Sequence, residues 1–121
     1  MRYLLFIIFI TNIVCQEIPH FDATRAMDLL EIQCAFGPRY PGSSGHRKMK
    51  IFLEEFLKPL SDSLYIMNKE ITHPYQNRMM NLTNYLARYN MEKSYRIMLM
   101  AHWDTREFAD QDLDPKNKNL P

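Results

Sequence analysis

The sequence predicts an α/β fold, and three observations predict it. Two amphipathic helical stretches come first, and strand-like stretches follow them. The last of these is a continuous apolar run of the kind buried on both faces of a sheet. Helices laid before strands in this order mark the start of a three-layer α/β fold. The 121 residues allow one domain at most, and an open α/β enzyme normally has more chain than this.

The first fifteen residues stand apart. Arg2 gives a positive start, Leu4 to Ile10 is unbroken and apolar, and Thr11 and Asn12 weaken the run before Ile13, Val14 and Cys15. That stretch is too short to span a bilayer comfortably, so residues 1–15 read as a signal and residues 16–121 as the exported domain. Cys15, directly after the apolar run, is placed like the lipidated cysteine of a bacterial lipoprotein. Val14 fits that pattern poorly, and no Ala-x-Ala cleavage site is visible. Two alternatives stay open: lipidation of Cys15 with a membrane tether, or an ordinary secretory signal or uncleaved anchor. Each implies export, to the periplasm, the membrane surface or the exterior.

Asp22 is the candidate N-cap of the first helix, in which Ala23, Ala26, Met27, Leu30 and Cys34 share a face. Cys34 is expected there as a small buried hydrophobe rather than a reactive thiol. Residues 37–45, GPRYPGSSG, hold all three glycines of the chain and two of its seven prolines, which predicts a loop with special backbone angles. A second helix is expected from about Gly45 to Lys58, with Met49, Phe52, Leu53, Phe56, Leu57 and Leu60 on its apolar side. Its charged residues read as a solvated face, and Pro59 ends it. Leu64 to Ile71 and Met79 to Tyr89 read as strands, joined through Thr72 to Asn77. Tyr95 to Ala101 is the third, fully buried strand, and the tail from Asp110 onward is polar and aperiodic.

Fifteen basic side chains against fourteen acidic ones leave no electrostatic footprint for nucleic acid. The informative residues are His102, Trp103 and Asp104, immediately after the apolar run. Ligands in α/β folds gather at the carboxyl ends of strands. Continued extension points His102 and Asp104 one way and Trp103 the other. A neutral imidazole is a good zinc ligand, and a neighbouring carboxylate fixes its tautomer. Alone, a His-x-Asp triplet is a common chance pattern.

Three stretches together carry a resemblance. Residues 37–46, GPRYPGSSGH, look like the loop between the first two helices of family-28 zinc metallopeptidases and their glutaminyl cyclase relatives. Asn81 to Tyr89 is similar to the strand before the metal strand. Ile97 to Asp110, IMLMAHWDTREFAD, strongly resembles the metal strand and its following loop, most of all in bacterial glutaminyl cyclases. Trp103 stands where tyrosine is common and Glu107 where proline is common.

The resemblance implies the N-terminal part of an αβα sandwich with a central mixed sheet. It implies zinc, one ion in the cyclases and two in the aminopeptidases, with peptide or protein N-termini as substrates. His102 would bind the metal or lie beside it, and Asp104 would support it from behind. The family's remaining ligands and its general base come later than Pro121, so no catalytic residue is assigned within this chain. Cyclisation of N-terminal glutamine with loss of ammonia is the leading expectation and aminopeptidase action the alternative. A third reading, from another class, is a non-catalytic exported fragment.

Other candidates carry weaker signals. Asp110, Asp112 and Asp114 alternate like calcium ligands, but Pro115 replaces the glycine such a loop requires, so a solvated loop is expected. His20, His46 and His73 lack ligand spacing, and a structural hydrogen bond is expected for His46. Arg39 either anchors the Gly/Pro loop to a carboxylate or carbonyl, or lies on the surface. Tyr85, Tyr89 and Tyr95 read as strand packing. Asn81-Leu82-Thr83 fits a glycosylation acceptor, with burial in a strand expected to prevent its use.

Overall fold

The computed structural model describes residues 18–120. The signal, its boundary near residue 15 and the lipidation of Cys15 lie outside the described residues. The element order is α1 (Ala23–Ala35), α2 (Ser44–Leu57), β1 (Ser63–Thr72) and β2 (Met79–Arg88). Among the described residues, no helix is long and apolar enough to cross a membrane.

Helix α1 begins as its sequence requires, with the Asp22 carboxylate accepting from the Arg25 N–H at 2.9 Å. It ends at Phe36, where Gly37 takes a positive φ of 75° and its N–H reaches the Cys34 carbonyl. The face it turns inward differs from the expected one. Ala26, Leu29 and Gln33 are half-buried, whereas Ala23, Met27, Leu30 and Cys34 are exposed. Cys34 is therefore an exposed thiol rather than a buried hydrophobe. The helix has apolar residues on two neighbouring arcs, and only one arc is half-buried. Contact between the two helices runs through the Phe36 and Phe52 rings, 5.6 Å apart, and through Arg25 over the Phe56 ring.

Helix α2 is capped by Ser43, whose hydroxyl oxygen accepts from the His46 N–H at 3.0 Å and whose O–H donates to the Pro38 carbonyl at 2.8 Å. Gly45 makes the tight entry possible. A methyl group there would sit 2.6 Å from the Phe36 carbonyl oxygen and closer still to that of Pro38. Met49, only 1% exposed, is the centre of the core, and Phe52, Leu53, Phe56 and Leu57 are half-buried around it. Leu60 is exposed instead, beyond the end of the helix.

Strands β1 and β2 form an antiparallel hairpin with Asn68 opposite Thr83 and Ile66 opposite Tyr85. The pair Asn68–Thr83 is hydrogen-bonded through side chains at 2.8 Å. Alternation turns Thr83, Tyr85 and Ala87 of β2 inward. The Tyr85 hydroxyl reaches α2, donating to the Glu54 carboxylate at 3.2 Å. On the opposite face Tyr65, Met67 and Leu86 remain exposed. Asn81 is also exposed, so burial does not protect the glycosylation-type triplet, although Thr83 within it is buried.

The third expected strand is not formed. Tyr95–Ala101 carries no strand pairing, and Ile97 and Leu99 are 91% and 92% exposed. A continuous apolar run predicts burial, but burial needs neighbours on both sides, and no described segment supplies them. Tyr89 and Tyr95 are exposed for the same reason. The chain is thus a mixed α/β unit of two helices and a two-stranded antiparallel sheet.

Candidate functional site

Directly after the bare segment the chain is fastened down. Arg39, in the loop between α1 and α2, donates through Nε to the Trp103 carbonyl at 3.0 Å and through a terminal nitrogen to the Gln33 carbonyl at 2.7 Å. Its backbone N–H donates to Thr105 Oγ1 at 2.8 Å. A single guanidinium thus ties α1 to the 103–105 segment, which decides the alternatives for Arg39 in favour of an anchor on carbonyls. The planar fork of arginine suits this, because its donors diverge in fixed directions.

Trp103 is the second fastening. Its indole N–H donates to the Thr83 carbonyl at 3.1 Å, and its ring stacks on His46 with centroids 4.6 Å apart. Tyr85 meets the same indole edge-on at 6.0 Å. His46, 4% exposed, is held by this stack and by the structural hydrogen bond from its backbone N–H to Ser43 Oγ. Burial, with the Lys50 and Arg47 charges nearby, holds its imidazole below the ordinary pKa, and Asp104 opposes that shift. The Tyr85 phenol moves the other way, pushed well above its ordinary value by burial and the Glu54 carboxylate.

With Trp103 turned inward, His102 and Asp104 are left on the outer side. The His102 ring is 87% exposed, and its Nδ1 lies 2.9 Å from the Asp104 carbonyl oxygen and 3.7 Å from the Asp104 carboxylate. A carbonyl oxygen only accepts, so Nδ1 is the donor in this contact, and in a neutral ring Nε2 is then the nitrogen with the free lone pair. Such an imidazole offers one nitrogen to a metal. A catalytic zinc takes about three protein ligands, and among the described residues no group of three or more His, Cys, Asp or Glu side chains converges. The residues fit one ligand of a zinc site and not a whole one.

The loop beyond is pinned from the hairpin tip. The Glu107 carboxylate accepts from Arg78 at 2.6 Å and lies 3.5 Å from His73 Nε2. Glu107, where proline is common in the resembling family, thus has a partner that a proline could not meet. Asp110 binds Arg106 through both oxygens, and the guanidinium lowers its pKa. Asp112 and Asp114 each accept a backbone N–H two residues on, so their oxygens cap turns. Among the described residues, His20, His46, His73, Asp110, Asp112 and Asp114 form no metal-binding group with His102.

Sequence reasoning missed the pairing of His46 with Trp103. A histidine in the first turn of a helix and a lone tryptophan 57 positions later carry no local signal for each other.

No family model matches the chain, and no curated protein is significantly similar to it. Solved structures are. A glutaminyl cyclase from Tannerella forsythia matches with a TM-score of 0.75 at 34% identity, covering 84% of this chain and 34% of that one. A Zn-dependent exopeptidase from Parabacteroides distasonis matches at 0.78 and 31% identity over 87% and 36% of the two chains. A leucine aminopeptidase precursor from Bacteroides thetaiotaomicron matches at 0.79 and 32% over the same shares. The chain therefore spans about a third of the length of these solved relatives and has part of a glutaminyl cyclase and zinc exopeptidase-like fold.

Proposed function

We propose that this chain is one part of an exported zinc-dependent enzyme acting on peptide N-termini, with glutaminyl cyclase activity the leading reading. The observation that carries it is His102, exposed on Nε2 and held on Nδ1, at the end of an apolar run in a chain similar to bacterial glutaminyl cyclases. Zinc, when bound, would polarise the amide carbonyl of an N-terminal glutamine. What this chain's own residues contribute is positional. Arg39 and Trp103 set the course of the segment, and the Asp104 carbonyl orients the imidazole. His102 offers Nε2, while Asp104 keeps a carboxylate beside it.

Aminopeptidase action is the second reading, favoured by the match to a Zn-dependent exopeptidase and a leucine aminopeptidase precursor. The experiment is a substrate comparison on the protein expressed from its complete reading frame. Ammonia release from an N-terminal glutamine peptide supports the cyclase, and anilide release from leucine anilide supports the peptidase. Turnover of neither removes both readings. For the 121-residue chain alone we propose no catalysis, since one imidazole is too few ligands; tight one-to-one zinc binding by calorimetry would overturn this. Export is proposed from residues 1–15, and radiolabelled palmitate incorporation that a C15S variant abolishes would establish the tether.

A further inference from the structure

From His102 onward the facing of the chain alternates. Trp103, Thr105 and Glu107 are half-buried, while His102 and Arg106 are exposed and Asp104 keeps 48% of its side chain in solvent. Extended backbone gives this pattern, because neighbouring side chains point to opposite sides. Every residue on the inner side is bound, and each by a different group. Trp103 is held through its carbonyl and its indole. Thr105 Oγ1 accepts from the Arg39 N–H at 2.8 Å, and the Glu107 carboxylate accepts from Arg78 at 2.6 Å. The stretch before His102 has no such hold, since Tyr95–Ala101 makes no backbone–backbone hydrogen bond among the described residues. The direction of the imidazole is therefore set from its C-terminal side.

The hairpin turn prepares the Glu107 contact. The His73 N–H donates to the Arg78 carbonyl at 2.8 Å, and Arg78 Nε donates to Gln76 Oε1 at 2.6 Å, so the guanidinium is oriented by its own turn. His73 Nδ1 accepts from the Tyr75 N–H at 3.1 Å. In a neutral ring that leaves the proton on Nε2, the nitrogen 3.5 Å from Glu107. One carboxylate thus meets two donors that the turn already aims at it. A slip of one residue along 102–107 would exchange the two sides, turning His102 inward and Trp103 outward. Thr105 and Glu107 oppose that slip with hydrogen bonds, whose directions a shifted chain could not satisfy.

We propose that Thr105 and Glu107 are positioning residues for the candidate site. By tying the inner side of 103–107 to the α1–α2 loop and to the hairpin turn, they keep the His102 ring on the Asp104 carbonyl with Nε2 turned outward. Both act through the backbone on either side of Asp104 rather than on the imidazole itself. The consequence for catalysis rests on the functional reading above, whereas the contact belongs to the 121-residue chain on its own.

The test is the tautomer of His102, read from long-range nitrogen–proton spectra of the 121-residue chain at about pH 8.5, where histidine is neutral, with H102Q assigning the signals. The parent should show mainly the Nδ1–H form, whereas an unconstrained imidazole prefers Nε2–H. T105V/E107L lacks both acceptors, and its ratio of Nδ1–H to Nε2–H should fall at least about threefold, a change within the worth of one ordinary hydrogen bond. T105S and E107Q each keep an acceptor and should hold the parent ratio. If the double variant does not fold, T105V and E107L carry the same test singly. An unchanged ratio in folded T105V and E107L overturns the proposal, as does a parent whose His102 is mainly Nε2–H. F52L disturbs the Phe36–Phe52 packing between the helices and should lower the urea midpoint without moving the ratio. A shift in F52L as large as that of the double variant would reduce the role to general stability and also overturn it. In the protein expressed from its complete reading frame, T105V/E107L should lower kcat at least about tenfold with KM nearly unchanged, the mark of lost orientation rather than lost binding. A responsive tautomer with no turnover of glutamine or leucine substrates by the parent keeps the positioning and removes the functional reading. Turnover by the parent with kcat unchanged in the double variant does the reverse.

Discussion

Leu99 and Trp103 lie four positions apart in one continuous stretch, yet the chain treats them in opposite ways. Trp103 has its carbonyl bound by Arg39, its indole N–H bound by Thr83 and its ring stacked on His46. Leu99 is 92% exposed with nothing against it. Both are large and apolar, so hydrophobicity does not separate them. The difference is that residues 18–120 supply partners for Trp103 and none for Leu99. His102 sits at the boundary, with a fastened residue after it and a bare one before it.

Substitutions on the fastened side should be costly and those on the bare side nearly silent, as read by urea denaturation of the 121-residue chain. The largest effect is expected from Arg39→Ala, at about 3 kcal/mol, since hydrogen bonds to a charged donor contribute roughly 1.5–3 kcal/mol each and two carbonyls lose theirs. Arg39→Lys should recover less than half, because an ammonium cannot span the same pair of carbonyls. An unchanged midpoint in R39A would break the comparison. Gly45→Ala should cost about 2 kcal/mol, because the added methyl group forces α2 away from the Phe36 and Pro38 carbonyls. Trp103→Phe keeps an aromatic ring but drops the N–H bond to Thr83, for a loss of about 1 kcal/mol.

A smaller, pH-gated loss concerns His46. Its folded-state pKa is depressed by burial, so the unfolded chain takes up that proton more readily than the folded one. Its contribution is complete above about pH 6.5, the ordinary histidine value, and is lost as pH falls below that. The urea midpoint measured from pH 7.5 to 5 should therefore drop, and H46F should flatten the low end of that curve; parallel curves would contradict the assignment. Least of all, Leu99→Ser should stay within about 0.5 kcal/mol of the parent while reducing light scattering on storage. A loss above about 2 kcal/mol there would mean that the segment is packed in solution.

Legibility followed the same boundary. Helix α2 and the hairpin could be read because periodicity and the Pro59 stop are local, and their partners lie within the described residues; the Ser43 cap was not read in advance. Helix α1 was legible as a helix but not in its facing, since Ala26 and Leu29 on one arc and Met27 and Leu30 on the next are equally apolar. The run from Ile97 to Ala101 was legible as something to be buried and not as something left bare, because a sequence pattern states a preference without supplying the neighbour. For the candidate site, the opposite facing of Trp103 and His102 followed from strand alternation. The Arg39 anchor was only one of two open alternatives, and the Glu107 link to Arg78 and His73 spans separations that no local pattern encodes.

The stack of the only indole in the chain on a titrating imidazole has an optical consequence. Imidazolium quenches indole emission more strongly than neutral imidazole does, so the molecule reports on itself without a dye. Brightness should follow the charge of one ring, while emission colour follows how tightly the outer stretch is held down.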